Sequence, residues 1–377
     1  MLECLPRTMI FRKEHLDYPL KNNMEIFYIF IYNIRYNVQK RMVNTMTTEN
    51  KRKKSDYIIS DLSNMVLKGH PDLVLKQLPD QSVDMIFTSP SYYDARDKIS
   101  KYDTYEDFLA LIRNVVRECH RTLIDGKFFI INTGHVLLPR ASRSESSTRI
   151  TVPFDIHRIL VEEGFEFMDD IIWQKPEGAG TATARGTRFS VDRNPMQYKA
   201  LPVTEYVMVY RKKSAVLIDH FIRNHPDQEM VQKSKIADGY EKTNVWRIAA
   251  TKDKNYPGVI PRELVEKVIS YYSFVNDVVL DPFGGIGTTA MAAASLKRRF
   301  VAIESADDCV ETMRGELDNL PDMFNYFEYE YKDYSALEPD QAEREVDVHD
   351  VVRKLLEQGV EQSEIVKVLE EKFLKSE

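Results

Sequence analysis

The chain alternates short apolar runs with polar turns and amphipathic stretches, a rhythm that predicts strands and helices in succession. Residues 83–87, Val-Asp-Met-Ile-Phe, form an apolar run that ends in the polar segment Thr88-Ser89-Pro90-Ser91-Tyr92-Tyr93-Asp94. A run of that length closed by a proline-stiffened turn predicts a buried parallel strand delivering a rigid loop to the edge of a sheet. Residues 277–281 and 299–304 are runs of the same kind, and 64–68, 127–132, 167–173 and 203–210 are further predicted strands. Between them, 105–123 places Phe108, Leu109, Leu111, Ile112, Val115 and Val116 at the spacing of one helical face. Helices are also predicted at 73–78, 153–163, 261–272, 288–296 and from about Ala306, with Pro261 suited to a first helical turn. The fold class is therefore α/β, with a mostly parallel sheet and helices on both faces.

Two turns carry candidate chemistry. Proline fixes its own φ and restrains the residue before it, so Ser89 and the Pro90 carbonyl are held in one geometry while Tyr92 offers a ring face. Such a turn suits a planar amine, whose N–H groups meet acceptors while its ring stacks. Ser89, Pro90, Ser91 and Tyr92 are the candidate catalytic residues, and Asn132-Thr133-Gly134 closes another predicted strand at the same rim. The second turn, Asp281-Pro282-Phe283-Gly284-Gly285-Ile286-Gly287-Thr288-Thr289, joins a strand to an alanine-rich helix. Glycines admit close approach of a ligand, and a helix N-terminus offers N–H groups. The next strand ends at Glu304, roughly 20 residues beyond the glycines, where an acid accepts the ribose hydroxyls of an adenosine cofactor.

With Ser-Pro-Ser-Tyr ahead of Asp-Pro-Phe-Gly-Gly-Ile-Gly-Thr-Thr, the chain from about Tyr57 to about Asp308 resembles the beta class of S-adenosylmethionine-dependent amino DNA methyltransferases. The resemblance implies a Rossmann-like methyltransferase fold with circularly permuted motif order, S-adenosyl-L-methionine as cofactor and double-stranded DNA as partner. It implies cofactor-binding roles for Asp281, Phe283, Gly285, Gly287, Thr288 and Glu304. Two positions depart from the family pattern: Ser91 stands where the turn usually has a second proline, and Gly69-His70 replaces a Gly-Asp whose acid meets the adenine amine. His70 or Asp72 is expected in that place. A leading serine in the turn commonly accompanies cytosine N4 as target and a leading aspartate adenine N6, and Tyr93-x-x-Arg96-Asp97 also resembles the cytosine branch. The implied activity is methylation of cytosine N4 by base flipping and direct in-line displacement, as the modification enzyme of a restriction-modification system with a companion endonuclease. Adenine N6 is the alternative target, and a catalytically inactive DNA-binding regulatory module is the competing class. Methylation at cytosine C5 needs a cysteine nucleophile, usually in a Pro-Cys turn, and no cysteine here follows a proline.

Composition adds two constraints. The three cysteines, Cys4, Cys119 and Cys309, share no metal-ligand spacing and cannot pair completely, which points to a reducing compartment and no structural zinc. The net charge of −7 conceals a division: residues 304–377 hold 22 acids and 8 bases, so residues 1–303 are net positive by 7. Local basic patches rather than the whole-chain balance decide phosphate binding. Residues 178–199 hold Arg185, Arg188, Arg193 and Asn194 with little hydrophobic periodicity, in the place where the family carries target recognition. These arginines, with Lys212 at the end of the strand 203–210, are the candidate DNA contacts.

The expected organisation is an N-terminal extension at 1–55, a methyltransferase domain at 56–310 with a target-recognition insert at about 174–200, and an acidic helical C-terminal extension at 311–377. Residues 26–34 are apolar but far short of the roughly 20 residues a membrane helix needs, and they lack a secretory cleavage pattern. No membrane partner is expected, and the location is cytoplasmic, with the nucleoid. Met42 or Met46 reads as the start of the mature protein. In the tail, 348–358 and 363–373 carry apolar residues at helical spacing broken at Gly359, a hairpin suited to partner docking or self-association.

Overall fold

Strands in the computed structural model send alternate side chains to two separate cores, which is why their sequences read as continuous apolar runs. Val278 and Leu280 join one core and Val279 the other; Val301 and Ile303 join the first, Phe300 and Ala302 the second. The structure describes residues 58–90, 102, 104–138, 148–176, 193–196, 198, 200, 202–251, 256, 258–320 and 328–337. In chain order the elements begin with β1 (Met65–Lys68), α1 (Pro71–Val74), a 3-10 turn (Leu75–Gln77), β2 (Val83–Thr88), α2 (Tyr105–Thr122), β3 (Leu123–Thr133), β4 (Val136–Leu138) and β5 (Thr148–Ile150). Next come α3 (Val152–Glu162), β6 (Phe165–Gln174), β7 (Thr204–Lys212), α4 (Ile218–Arg223), α5 (Gln228–Lys233) and β8 (Val245–Arg247). Last come α6 (Arg262–Tyr272), β9 (Val278–Asp281), α7 (Thr288–Ser295), β10 (Arg299–Glu304), α8 (Asp307–Asp318) and β11 (Glu330–Asp333).

Among the described residues nine strands form one sheet in the order β11-β1-β10-β9-β2-β3-β7-β6-β8, and β4 pairs with β5 apart from it. Every neighbouring pair from β11 to β3 is parallel. β7 runs antiparallel to both β3 and β6, so it alone of the nine is reversed. One face is covered by α1, α2 and α3, whose buried residues include Val74, Phe108, Ile112, Val116, Ile156 and Leu160. The other is covered by α6, α7 and α8 through Leu264, Val268, Ala290, Ala293 and Met313. Helix α2 is started by a capping box: Thr104 Oγ1 accepts the Asp107 N–H at 3.1 Å while Asp107 Oδ2 accepts the Thr104 N–H at 3.0 Å. Its apolar stripe then buries Phe108, Ile112, Val115, Val116 and Cys119, each full burial of a large apolar side chain contributing about 1.5–3 kcal/mol.

At the amino ends of β9 and β2 the sheet buries ions. The pairing of Met85 with Phe128 brings Lys127 beside Asp84, and Lys127 Nζ lies 3.2 Å from both Asp84 Oδ1 and Asp277 Oδ2. Asp84 Oδ2 also accepts the Val278 N–H at 3.0 Å, and Asp277 Oδ2 accepts the Phe274 N–H at 2.9 Å. Burial, and then the neighbouring Asp84, raise the Asp277 pKa to about 6 against the pull of Lys127.

Several elements differ from the sequence expectation. The sheet does not end with the residues near 310: α8 runs to Asp318, and β11 adds a parallel edge strand to β1, with Lys68 bridging Asp307 at 2.6 Å and Asp333 at 3.3 Å. Asp125-Gly126, a pair that commonly turns a chain, lies inside β3, so that strand starts earlier than the expected 127; Gly126 takes a φ of 82° and the register with β2 shifts between Val83 and Met85. Residues 219–242, polar and without a readable period, hold most of α4 and all of α5. Among the described residues no helix is long and apolar enough to cross a membrane. The expected extension at 1–55 and the tail helices at 348–358 and 363–373 lie outside the described residues.

Candidate active site

The carboxyl ends of β10, β9, β2 and β3 share one rim because these strands are parallel neighbours. From β9 the chain passes through α7 to β10 on one side, while β2 on the other side comes from far earlier in the sequence. Connections therefore diverge at the β9–β2 pair, and open α/β sheets bind ligands in the crevice that such a divergence leaves. Asp281, the last residue of β9, spans that point. Its Oδ1 accepts the Thr88 hydroxyl at 2.7 Å and the Phe283 N–H at 3.0 Å, and its Oδ2 accepts the Thr289 hydroxyl at 2.6 Å. Thr88 ends β2 directly before Ser89-Pro90, and Thr289 is in the first turn of α7. One carboxylate thus fastens the serine-proline turn to the glycine turn. It is 4% exposed, and burial raises its pKa to about 6 in spite of the three bonds it accepts.

The glycine turn is closed by Gly284 N–H donating to Ile303 O at 2.8 Å and Gly287 N–H donating to Gly284 O at 2.9 Å. Gly285 and Gly287 both need the left-handed region, with φ of 52° and 88°, but for different surroundings. A Cβ at Gly287 would collide with Met313 of α8, whereas a Cβ at Gly285 would enter open space. Gly287 is thus required by packing and as the left-handed N-cap of α7, and Gly285 is where the turn presents its backbone to the rim. Thr288 starts α7 and is buried; Phe283 is half-buried against the core under α1 and α2. Glu304 ends β10 beside this turn. Its Oε2 accepts the Gly285 N–H at 2.9 Å, and its Oε1 accepts the N–H groups of Ser305 and Ala306 at 2.8 Å each. The next strand tip belongs to the same patch: Gly69 N–H donates to Glu304 O at 2.9 Å, and the exposed His70 ring sits with Nδ1 2.6 Å from Asp72 Oδ1.

On the β2 side, the Ser89 hydroxyl donates to Asn132 Oδ1 at 3.2 Å, and Asn132 Nδ2 donates to the Tyr206 carbonyl at 3.1 Å. Pro90 is buried; Ser91 and Tyr92 lie outside the described residues. The structure therefore brings Ser89, Pro90, Asp281, Phe283, Gly285, Gly287, Thr288 and Glu304 to neighbouring strand ends on one rim, with His70 beside Glu304. Arg185 and Arg188 lie outside the described residues, and Arg193 is exposed with a φ of 51°.

Lys212 requires a correction. As the end of a strand it was expected beside DNA, but β7 is the reversed strand, so its last residue lies at the opposite end of the sheet from Ser89. Its ammonium donates to Leu123 O at 2.7 Å and pairs with Asp125 Oδ1 at 2.9 Å, and the residue is 6% exposed. It is a structural cation. Asn132, conversely, was placed at the rim by its strand but not joined to Ser89, because the pairing of β3 with β2 that brings them together has no local sequence signal.

Comparison with known proteins places the chain. The N6_N4_Mtase family, described as DNA methylase, matches residues 83–314, from the first residue of β2 into α8. The Type II beta methyltransferase M.BslI of Bacillus sp. (strain NEB-606) is 28% identical over 259 residues, 66% of this chain and 27% of that protein, so the chain spans little more than a quarter of that relative. The DNA adenine methyltransferase YhdJ of Escherichia coli (strain K12) is 26% identical over 268 residues, 67% of this chain and 82% of that protein. Among solved structures, TTHA0409 of Thermus thermophilus in complex with S-adenosyl-L-methionine matches with a TM-score of 0.55 and 27% identity, over 72% of this chain and 100% of that one. The likeness is that of Rossmann-like methyltransferases.

The Asp281 network makes a stability prediction. Asp281→Ala leaves two hydroxyls and the Phe283 N–H without their acceptor, at about 1–3 kcal/mol for each unsatisfied group that stays buried, so a loss of roughly 3 kcal/mol is expected. Asp281→Asn keeps an acceptor and the volume, and changes the pH dependence instead. Because the folded pKa of about 6 lies above the ordinary value of 3.8, the folded chain takes up this proton first, and wild-type stability gains from it as pH falls from about 6 towards 4. Urea unfolding at several pH values should find that part of the gain missing in Asp281→Asn; an Asp281→Ala chain as stable as wild type would contradict the network.

Proposed function

The chain belongs to the N6_N4_Mtase family of DNA methylases, and on that basis we propose that it transfers a methyl group from S-adenosyl-L-methionine to cytosine N4 in double-stranded DNA. The observation that carries this reading is the Asp281 carboxylate, which fastens the Ser89-Pro90 turn beside the glycine turn at the crevice of the sheet. M.BslI, named a Type II beta methyltransferase, supports a modification enzyme of a restriction-modification system; cytoplasmic action and a companion endonuclease as functional counterpart belong to the same proposal.

The residues present fit the methyl donor. Gly285 has open space where a side chain would stand, and among the described residues Glu304 Oε2 accepts only the Gly285 N–H, which leaves it acceptor capacity that suits a ribose hydroxyl. In this reading Phe283, Gly285, Gly287 and Thr288 wall the cofactor, Asp281 holds that wall in place, and His70 or Asp72 meets the adenine amine. When bound, the cofactor would supply an electrophilic methyl: the amine nitrogen would take it as the methyl–sulfur electron pair returns to sulfur, and the nitrogen would then lose one N–H proton to solvent. The chain's own work is orientation. An exocyclic amine has its lone pair delocalised into the ring, so acceptors at Ser89 Oγ and the Pro90 carbonyl draw its hydrogens aside and aim the nitrogen. Tyr92 follows in the turn as a stacking face, which with these bonds offsets the few kcal/mol of flipping the base out of the duplex. Arg185, Arg188 and Arg193 are assigned to DNA contact.

Adenine N6 is the second reading, favoured by the similarity to YhdJ, since the same acceptors would serve either amine. A neutral serine at the head of the turn supports cytosine. Digestion of methylated duplex DNA to nucleosides, followed by mass spectrometry, separates the two: N4-methylcytosine is expected, N6-methyladenine would move the target atom, and no methylated base on varied duplexes would contradict the activity. For the cofactor, Glu304→Ala should weaken binding by roughly 1.5 to 3 kcal/mol, the usual strength of hydrogen bonds to a charged group. Calorimetry finding unchanged affinity would remove Glu304 from the cofactor site.

A further inference from the structure

We infer that Asn132 is a positioning residue for Ser89: its side-chain oxygen accepts the Ser89 hydroxyl hydrogen bond, so that Ser89 presents only acceptor lone pairs to an amine at the rim. The inference rests on the amino-methyltransferase reading of this site. A serine hydroxyl is one donor and two acceptor sites, and its proton rotates to suit its surroundings. Turned toward an amine nitrogen, that proton would engage the lone pair that has to attack. Turned away, it leaves the oxygen to accept an amine N–H.

The structure fixes the direction. Ser89 Oγ lies 3.2 Å from Asn132 Oδ1, and Asn132 Nδ2 donates to the Tyr206 carbonyl at 3.1 Å. Exchanging the amide ends would set an oxygen against that carbonyl, so the second bond determines which end Ser89 meets. The carbonyl is itself held by the sheet, where β3 and β7 pair Asn132 with Val207 and Thr133 with Tyr206. Asn132 is 2% exposed, so its side-chain oxygen is shielded from solvent and left to the serine hydroxyl. A neutral amide accepts this bond without removing the proton, and the turn keeps an uncharged hydroxyl at its head.

The test compares methyl transfer to DNA at saturating cofactor for wild type, Ser89→Ala, Asn132→Ala and the double variant. Asn132→Ala should lower kcat by about tenfold to a hundredfold, the range a misplaced reacting group costs, with cofactor affinity unchanged. On the Ser89→Ala background the same substitution should cost nothing more, because Asn132 acts through Ser89. Asn132→Asp gives an independent readout. A charged carboxylate would face the Tyr206 carbonyl with an oxygen, and only the protonated form can donate there while accepting from Ser89, so the ratio of its rate to that of wild type should rise as pH falls. Independent losses in the double variant, or a ratio that rises with pH, would overturn the role of Asn132 while leaving the activity in place. A wild-type chain that methylates no DNA would overturn both.

Discussion

Everything at the rim depends on a tie between two strands whose ladder stops short of it. β2 and β9 pair through Met85 with Val279 and Ile86 with Leu280, and that ladder reaches neither Thr88 nor Asp281. Beyond Ile86 the strand tips are held by side chains: the Asp281 carboxylate joins Thr88, 193 residues away in sequence, to Phe283 and Thr289 of its own turn. A short bond to an ionised acceptor in a buried site is stronger than a neutral one, and it fixes distance as well as proximity. The turn proposed to orient the amine and the turn proposed to hold the cofactor are consequently joined through one carboxylate. Orientation is worth much in a reaction that needs no covalent intermediate, because a near-attack geometry is most of what the protein can contribute.

The same strands are clamped at their other end by Lys127, Asp84 and Asp277, with apolar layers between the two clamps. The two ends differ in purpose. At the amino end Lys127 lies between two carboxylates, and Lys212 and Arg211 are likewise bonded inward, to Leu123, Asp125, Gly126 and Val216. At the carboxyl end the turns are braced from beneath while Gly285 opens onto space and His70 stays exposed. The buried basic residues Lys127, Arg211 and Lys212 are thus all bonded within the fold.

The α/β class was legible in the apolar runs, and the site was legible as two motifs in order, since Ser89-Pro90 and the glycine turn are contiguous signals with a local physical meaning. What was not legible depends on strand direction and pairing. Lys212 reads as an exposed strand-end lysine until β7 proves to be the reversed strand, which sends it to the far end of the sheet. β11 reads as part of an acidic tail because all four of its residues are exposed, and only its pairing with β1 makes it a strand of this sheet. Asn132 could be placed at a strand end, but its bond to Ser89 follows from a register that no local pattern encodes.

The central claim is that the Asp281 tie sets the serine-proline turn against the cofactor turn, and Thr88→Val tests it most directly. Valine keeps the volume and removes only the hydroxyl that crosses between β2 and β9. Cofactor affinity by calorimetry and single-turnover methyl transfer should part company: binding close to that of wild type, with the transfer rate reduced by about tenfold or more, as a misplaced reacting group implies. A Thr88→Val chain that transfers methyl groups at the wild-type rate would contradict the claim.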